Sequence, residues 1–153
     1  MKRWFAGAVV YKWVSHTLYF MVLDSTSTSR KRRPPFKKTK FPGGMNKKHP
    51  EDLDPRMTVS RELEEETGLA QKSGTETKYL LDFIERRRGM IQMVFYLVAL
   101  EDCEGVLRTT ELRDGIDLLS PPYWVKADEV GRILFETHQP ALVKSLQYFG
   151  LVG

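Results

Sequence analysis

Apolar and polar residues occur in blocks along the chain, and four of the apolar blocks have the composition of β-strands. Residues 4–14 and 18–23 are rich in aromatic and β-branched side chains, and the polar residues 15–17 separate them. This arrangement predicts a β-hairpin at the start of the chain. Residues 77–85 and 90–100 have a similar composition and predict two further strands.

Helical signals occur at two main places. Asp54-Pro55 predicts a helix start, because aspartate caps free amide groups and proline is favoured at the first helical position. We expect this helix to end at Thr67, with Gly68 as its C-cap. Residues 139–149 carry apolar side chains at helical spacing, which predicts a terminal amphipathic helix. A shorter helix over residues 127–134 is also consistent with the pattern, whereas residues 105–119 favour no element.

Length and composition indicate a single globular domain. The chain has 153 residues, of which 41% are hydrophobic and 29% charged, the ordinary balance of a folded protein. The single cysteine, Cys103, excludes a disulfide scaffold. No stretch approaches the roughly 20 consecutive apolar residues of a membrane span, and the apolar run after Lys2-Arg3 is too short for a signal peptide. We therefore expect one α/β or α+β domain over residues 1–153, in the cytoplasm and without a membrane partner.

Charge is distributed unevenly, which matters more than the formal net charge of +4. Residues 30–40 contain seven basic side chains and no acidic one, while the rest of the chain is net acidic. This run predicts an exposed basic insert over about residues 25–40. One interpretation is a rim that attracts a phosphorylated substrate or RNA, with Arg33, Lys38 and Lys40 as substrate-binding residues. The other is a solvated loop without a catalytic role.

The segment after the insert combines a glycine-rich turn with a glutamate-rich helix. In Phe41-Pro42-Gly43-Gly44 the proline and first glycine stand where a type II turn favours them. On the following helix, at about 100° per residue, three carboxylates share an arc of about 100° and the fourth, that of Glu64, points away. The three that share the arc are Glu62, Glu65 and Glu66. A bound divalent cation would offset their repulsion, and oxygen ligands suit Mg²⁺; the alternative is a solvated acidic stripe.

Residues 61–69 read R-E-L-E-E-E-T-G-L. They match, at every defined position, the second half of the Nudix box, G-x5-E-x7-R-E-U-x-E-E-x-G-U, in which U is aliphatic. Residues 41–44 look like the turn that opens the box. On these segments the chain resembles the Nudix hydrolases. The resemblance implies an α/β fold, a Nudix-like α/β/α sandwich with a mixed central sheet.

The first half of the box differs from the family pattern. Six residues rather than five separate Gly44 from the first glutamate, Glu51. Counting back from Arg61 instead places Leu53 at the usual glutamate position. We expect the additional length in the loop over residues 45–52, which leaves Glu51 and Asp52 as alternative carboxylate partners of Arg61.

The resemblance also implies a chemistry, the splitting of a diphosphate linked to another group by attack of water on phosphorus. Mg²⁺, or alternatively Mn²⁺, would be held by oxygen atoms of the box, those of Glu62, Glu65, Glu66 and the backbone carbonyl of Gly43. Arg61 and Glu65 are the predicted catalytic residues, with Glu65 as the candidate general base. A later acid, Glu111 or Asp114, is the alternative base.

Two functions follow from these patterns. The first is a pyrophosphohydrolase acting on a nucleoside diphosphate linked to a nucleotide, sugar or polyphosphate. The second is a catalytically inactive Nudix-fold domain that binds RNA or polyphosphorylated ligands. Retention of the three helix glutamates favours the enzyme, because a protein that only binds anions gains nothing from converged negative charge. The altered region around Glu51 favours the binding protein.

The remaining aromatic and histidine residues add no further group to the predicted chemistry. Four aromatic side chains either stack on a nucleobase or pack in the core, with packing favoured: Trp4, Trp13, Tyr123 and Trp124. The three histidines lack metal-ligand spacing, and we assign them no chemistry: His16, His49 and His138.

Overall fold

The computed structural model describes residues 2–28, 36–87 and 89–151. The strands within these ranges are Trp4–Val14 (β1), Thr17–Ser27 (β2), Lys37–Lys40 (β3), Gly43–Met45 (β4), Leu69–Gln71 (β5), Lys78–Glu85 (β6), Ile91–Ala99 (β7), Cys103–Gly105 (β8), Leu112–Asp114 (β9), Asp117–Leu119 (β10) and Tyr123–Lys126 (β11). The α-helices are Pro55–Thr67 (α1) and Gln139–Tyr148 (α2), and short 3₁₀ segments span Leu100–Asp102, Val130–Arg132 and Glu136–His138.

The central sheet is mixed. Its main strand order is β6-β7-β1-β2-β10-β9. Three further strands pair outside this order: β3 and β11 with β2, and β4 with β1. β1 and β7 are parallel, and the other pairs in the sheet are antiparallel. β5 and β8 form a separate two-stranded sheet. The predicted first hairpin and the strands over residues 77–85 and 90–100 are confirmed as β1, β2, β6 and β7.

Helices cover both faces of the sheet. Successive side chains of a buried strand point to opposite faces, so apolar side chains on each face pack against a helix. In β1, Val9 faces the cluster that contains Leu142 of α2. Its neighbour Val10 faces the cluster that contains Val59 and Leu63 of α1. The three layers confirm the predicted α/β/α sandwich with a mixed central sheet.

The segment predicted as an exposed insert lies partly in strands. Residues 25–27 continue β2, and β3 pairs with β2 in antiparallel register, so both flanks of the insert belong to the sheet. Lys40, at the end of β3, is 7% exposed, and the expectation that it lies on an exposed loop is wrong. Pairing with β2 makes this polar segment a strand although its composition predicts a loop. The composition of one segment does not show which strand it will pair with. Residues 29–35, which include Arg33, lie outside the described residues, so their exposure stays a prediction.

Three other local predictions change. Residues 41–44 do not form a type II turn, because Gly43 begins β4, has a φ of 159° and pairs with Gly7 of β1. The short helix expected over residues 127–134 is the single 3₁₀ turn at Val130–Arg132. Residues 105–119, for which the pattern favours no element, contain the hairpin of β9 and β10. Within the described part of the chain, neither α-helix is long and apolar enough to cross a membrane.

Candidate active site

Helix α1 begins and ends where the sequence predicts. Asp54 accepts a hydrogen bond from the backbone N–H of Met57 at 3.0 Å, which caps the helix N-terminus. Gly68 is left-handed, with a φ of 85°, and its N–H donates to the carbonyl of Glu64. Val59 and Leu63, 1% and 2% exposed, pack on the sheet. Because both ends and the apolar face are defined, the rotation of the glutamates about the helix axis is defined as well.

The glutamates divide into a buried pair and an exposed pair. Glu62 and Glu66 are 8% and 3% exposed, whereas the side chain of Glu65 is 47% exposed and Glu64 faces solvent. Glu65 therefore lies at the rim of the carboxylate group, more accessible to solvent than Glu62 and Glu66. Within the described ranges, no three histidine, cysteine or acidic side chains are grouped closely enough to hold a metal ion.

Glu66 is held from two sides by the segment that leads into β4. The ammonium group of Lys40 donates to the carbonyl oxygen of Gly43 at 2.7 Å and to Oε2 of Glu66 at 3.3 Å. The N–H of Gly43 donates to Oε1 of Glu66 at 2.8 Å. Burial raises the pKa of Glu66, and the charge of Lys40 and the Gly43 hydrogen bond oppose that rise.

Arg61 connects the helix with the loop before it. Its guanidinium donates to Asp52 at 2.7 Å, to Glu62 at 2.9 Å and to Glu65 at 3.3 Å. It also donates to the carbonyl of Met45 at 3.2 Å. One cation therefore holds the buried and the exposed carboxylates in a common arrangement.

Asp52, rather than Glu51, is the partner of Arg61. Asp52 is 4% exposed and also accepts from the N–H of Lys47 at 2.9 Å and the hydroxyl of Thr58 at 2.8 Å. Burial alone would raise its pKa, but these hydrogen bonds and the charge of Arg61 lower the pKa of Asp52 to about 2. Glu51 is exposed. The longer loop thus places an aspartate one residue later onto the arginine.

Glu62 is the third buried carboxylate of the site, beside Asp52 and Glu66. Burial and then the charge of Glu66 raise the pKa of Glu62 to about 7, and the contact with Arg61 opposes this rise. A strongly raised pKa beside a specific charge partner is typical of functional sites.

The two glycines of β4 allow this close approach. A Cβ atom on Gly44 would lie 2.5 Å from the carboxyl carbon of Glu62. A Cβ atom on Gly43 would lie 2.5 Å from the backbone carbonyl oxygen of Ala6 in β1. Both positions therefore require glycine because a Cβ atom would clash on either side of β4, and not because they form a turn.

Two residues of the site escape the sequence reasoning. Arg108 donates through Nε to the carbonyl of Glu66 at 2.8 Å and through Nη2 to the carbonyl of Ser120 at 2.7 Å, which ties the C-terminal turn of α1 to a distant loop. His138 is 3% exposed, and its Nδ1 accepts from the N–H of Phe41 at 3.2 Å. No spacing motif marks either residue, because their partners are backbone groups far away in the chain.

The other predicted residues lie around this centre. Asp114 is near enough for its charge to add to the raised pKa of Glu66, whereas Glu111 is an exposed residue just before β9. Lys38 lies on β3 with its ammonium 5.1 Å from the centre of the Phe135 ring. Trp4 packs against the α1-side core and donates to Thr58 at 2.9 Å.

The oxygen atoms of the site fit a metal cation in charge and chemistry. The carbonyl of Gly43 and the carboxylate of Glu66 already contact one cationic group, and Glu62 contacts another. Hard divalent cations such as Mg²⁺ prefer oxygen ligands of this kind.

A family model described as NUDIX domain matches residues 20–149, and the chain therefore belongs to the NUDIX domain family. The prediction of a Nudix hydrolase acting on phosphoric anhydride bonds is confirmed at the level of the family. No curated protein sequence matches the chain significantly.

Solved structures agree on the fold. The NUDIX domain of Shewanella oneidensis NrtR, complexed with ADP ribose, is 16% identical with a TM-score of 0.69, covering 97% of this chain and 89% of that one. A MutT NUDIX hydrolase from Burkholderia pseudomallei is 23% identical with a TM-score of 0.62, covering 94% and 98%. A C. elegans Ap4A hydrolase is 14% identical with a TM-score of 0.57, covering 97% and 98%.

Proposed function

We propose that the chain is a divalent-metal-dependent pyrophosphohydrolase that cleaves the diphosphate of a nucleoside diphosphate linked to another group. The observation that carries the proposal is the buried pair Glu62 and Glu66 on the family's catalytic helix, with the Gly43 carbonyl against it and Glu65 at the rim. Burying two neighbouring carboxylates opposes folding unless cations balance them. Such a pair is therefore expected at a site that binds a cation.

Each residue of the site has a role in this proposal. Glu62, Glu66 and the carbonyl of Gly43 would hold Mg²⁺ or Mn²⁺, with Glu65 at the outer side. A bound divalent ion supplies charge neutralisation of the diphosphate and acidifies water. Arg61 orients Glu62 and Glu65, and the solvent-exposed Glu65 carboxylate would accept a proton from the attacking water.

The substrate class is supported by charge and by the likeness to relatives. NrtR was crystallised with ADP ribose, and another relative is an Ap4A hydrolase, so two neighbours of the same fold act on or bind nucleotides joined through phosphates. In this chain Lys38, together with Arg33 outside the described residues, remains the proposed substrate-binding rim. A cytoplasmic location stays a prediction.

The proposal is tested by assaying a panel of nucleoside diphosphate derivatives for product with Mg²⁺, with Mn²⁺ and with EDTA. We expect turnover of at least one member with metal and none with EDTA. Glu65→Gln should lower kcat by at least about a hundredfold without unfolding the chain. The matched control is Glu64→Gln, the same change on the exposed neighbouring residue, which should keep full turnover.

A second function, an inactive domain that binds RNA or polyphosphorylated ligands, is favoured by one observation. Lys40 and Arg61 form ion pairs with the buried carboxylates of Glu66 and Glu62. NrtR has also been crystallised with a 27mer DNA. No turnover of any panel member, together with RNA binding that weakens steeply with salt, would favour this function over the first.

A further inference from the structure

The most unusual feature of the site is a lysine at its centre. Lys40 lies at the end of β3 with its side chain 9% exposed, and its ammonium bridges the Gly43 carbonyl and Glu66. Long charged side chains are almost never buried unless they are paired. The two groups that pair with Lys40 are two of the oxygen donors that the proposed function assigns to a metal ion.

We propose that the Lys40 ammonium occupies one cation position of the glutamate site, so that the chain holds a divalent ion only on the side of Glu62 and Glu65. A divalent ion at the Gly43 carbonyl and Glu66 would have to displace Lys40 or lie next to its positive charge. The inference rests on the proposed function in taking these glutamates as cation ligands. It changes one assignment of that function: the Gly43 carbonyl and Glu66 hold the Lys40 ammonium, and the metal ion is left to Glu62 and Glu65.

Position and charge balance support this role. Lys40 is held by pairing of β3 with β2, where it stands opposite Leu23, so its side chain is directed from a fixed backbone. The ammonium also lies 5.8 Å from the centre of the Phe5 ring, which lines its apolar side. Among the described residues, the Glu66 carboxylate accepts hydrogen bonds only from Lys40 and Gly43. Without Lys40, this carboxylate would keep a hydrogen bond from a backbone N–H and none from a cationic side chain.

The test uses Mn²⁺ as a probe on the full chain without substrate. Mn²⁺ binding is measured by electron paramagnetic resonance after removal of metals with EDTA, in the wild-type protein and in Lys40→Met. We expect Lys40→Met to bind one additional Mn²⁺ per chain, or to bind Mn²⁺ at least about tenfold more tightly, because the competing charge is gone. Equal or weaker Mn²⁺ binding by Lys40→Met would overturn the proposal.

Thermal unfolding gives a second, independent readout. The metal-free Lys40→Met variant should unfold about 10 °C below the wild-type protein, because a buried carboxylate has lost its cation. Saturating Mn²⁺ should restore most of this loss. If the metal-free variant does not fold at all, it is refolded with Mn²⁺: recovery supports the proposal, and failure to recover contradicts it.

Two further variants separate this role from a general effect of charge. Lys47→Met removes the same charge from a half-exposed lysine that lies 3.7 Å from Glu65, and it should change neither Mn²⁺ stoichiometry nor stability appreciably. The double variant Lys40→Met/Glu66→Gln removes both charges of the buried pair. It should regain stability without Mn²⁺ and should not gain the additional site.

The outcome is separable from that of the proposed function. Mn²⁺ binding and unfolding need no substrate, so a protein that hydrolyses nothing can still gain an Mn²⁺ site in Lys40→Met. Conversely, an active wild-type enzyme whose Mn²⁺ binding is unchanged in Lys40→Met would retain the function and refute the role of Lys40.

Discussion

At the scale of single residues, the site is a balance between buried carboxylates and two cations. Arg61 forms ion pairs with Asp52 and Glu62, and Lys40 forms an ion pair with Glu66. In such a network the loss of one partner leaves the other charge buried and unpaired. The free-energy cost of a single substitution is therefore larger than the net stabilisation that the pair provides.

Asp52→Ala is predicted to weaken both stability and activity, because Arg61 loses its main anchor. We expect the free energy of unfolding to fall by about 2 kcal/mol and kcat/KM to fall by about tenfold to a hundredfold, measured by urea unfolding and initial rates. Glu51→Ala, on the exposed neighbour, is the control and should stay within about 0.5 kcal/mol. A larger effect of Glu51→Ala than of Asp52→Ala would contradict the assignment of the partner.

A role for Asp52 in positioning Arg61 also predicts coupling between the two residues. Asp52→Ala and Arg61→Ala combined should lower kcat/KM by much less than the product of their separate effects. Independent effects would mean that Asp52 supports only the loop and not the arginine.

At the scale of elements, β4 decides how closely the sheet approaches α1. It pairs with β1 on one side and faces Glu62 on the other, and the absence of side chains on Gly43 and Gly44 makes both contacts possible. The element is short, but it carries the backbone carbonyl and N–H that meet Lys40 and Glu66.

Gly44→Ala is predicted to disturb the site more than the fold. Its new methyl group would displace the Glu62 carboxylate, which can move, so we expect a loss of about 1 kcal/mol together with weaker Mn²⁺ binding. Gly131→Ala is a matched control, because its Cβ would meet only a leucine methyl at 3.4 Å. The checks are urea unfolding and Mn²⁺ titration, and unchanged Mn²⁺ binding in Gly44→Ala would contradict the assigned role of Glu62.

At the scale of the whole molecule, His138 joins the α2 side of the sandwich to the strand segment that leads into the site. It lies 97 residues from Phe41, whose N–H it accepts, and the rings of Phe5, Phe41 and Phe95 surround it. Burial, with smaller contributions from the charges of Lys40 and Lys38, lowers the pKa of His138 well below 6.5. The folded protein therefore holds this histidine neutral.

This burial predicts that His138 contributes a loss of stability in mild acid. Below pH 6.5 the unfolded chain binds a proton at His138 and the folded chain does not, so the contribution of His138 falls as pH decreases, by up to about 1.4 kcal/mol per pH unit. Glu62 contributes with the opposite sign, because its pKa of about 7 in the folded chain lies above that of the unfolded chain. His138→Gln can keep an acceptor for Phe41 without titrating, so the free energy of unfolding of the wild-type protein should fall relative to that of His138→Gln as pH decreases from about 7 to about 5. His49→Gln, at an exposed position, should leave the profile as in the wild-type protein, and equal slopes in all three proteins would refute the prediction.

The local features of the sequence were sufficient for much of the fold and part of the site. The cap at Asp54, the proline after it and Gly68 act within a few residues, so α1 could be bounded from sequence alone. The burial of Glu62 and Glu66 follows from their rotation relative to Val59 and Leu63 on the same helix. The residues of the second half of the box were sufficient to indicate the family.

The tertiary structure alone decided which groups meet between elements. Lys40 reaches Glu66 across 26 residues, Arg61 selects Asp52 through the path of an irregular loop, and His138 meets Phe41 across 97 residues. Such contacts depend on strand pairing and loop closure, which composition and periodicity do not encode. By itself the pattern of residues therefore determined a carboxylate helix in one mixed domain of strands and helices, and the family resemblance of the box implied the three layers. Only the pairing of β3 with β2 and the packing of β4 against that helix turned a lysine of the supposed exposed insert into a buried cation of the site.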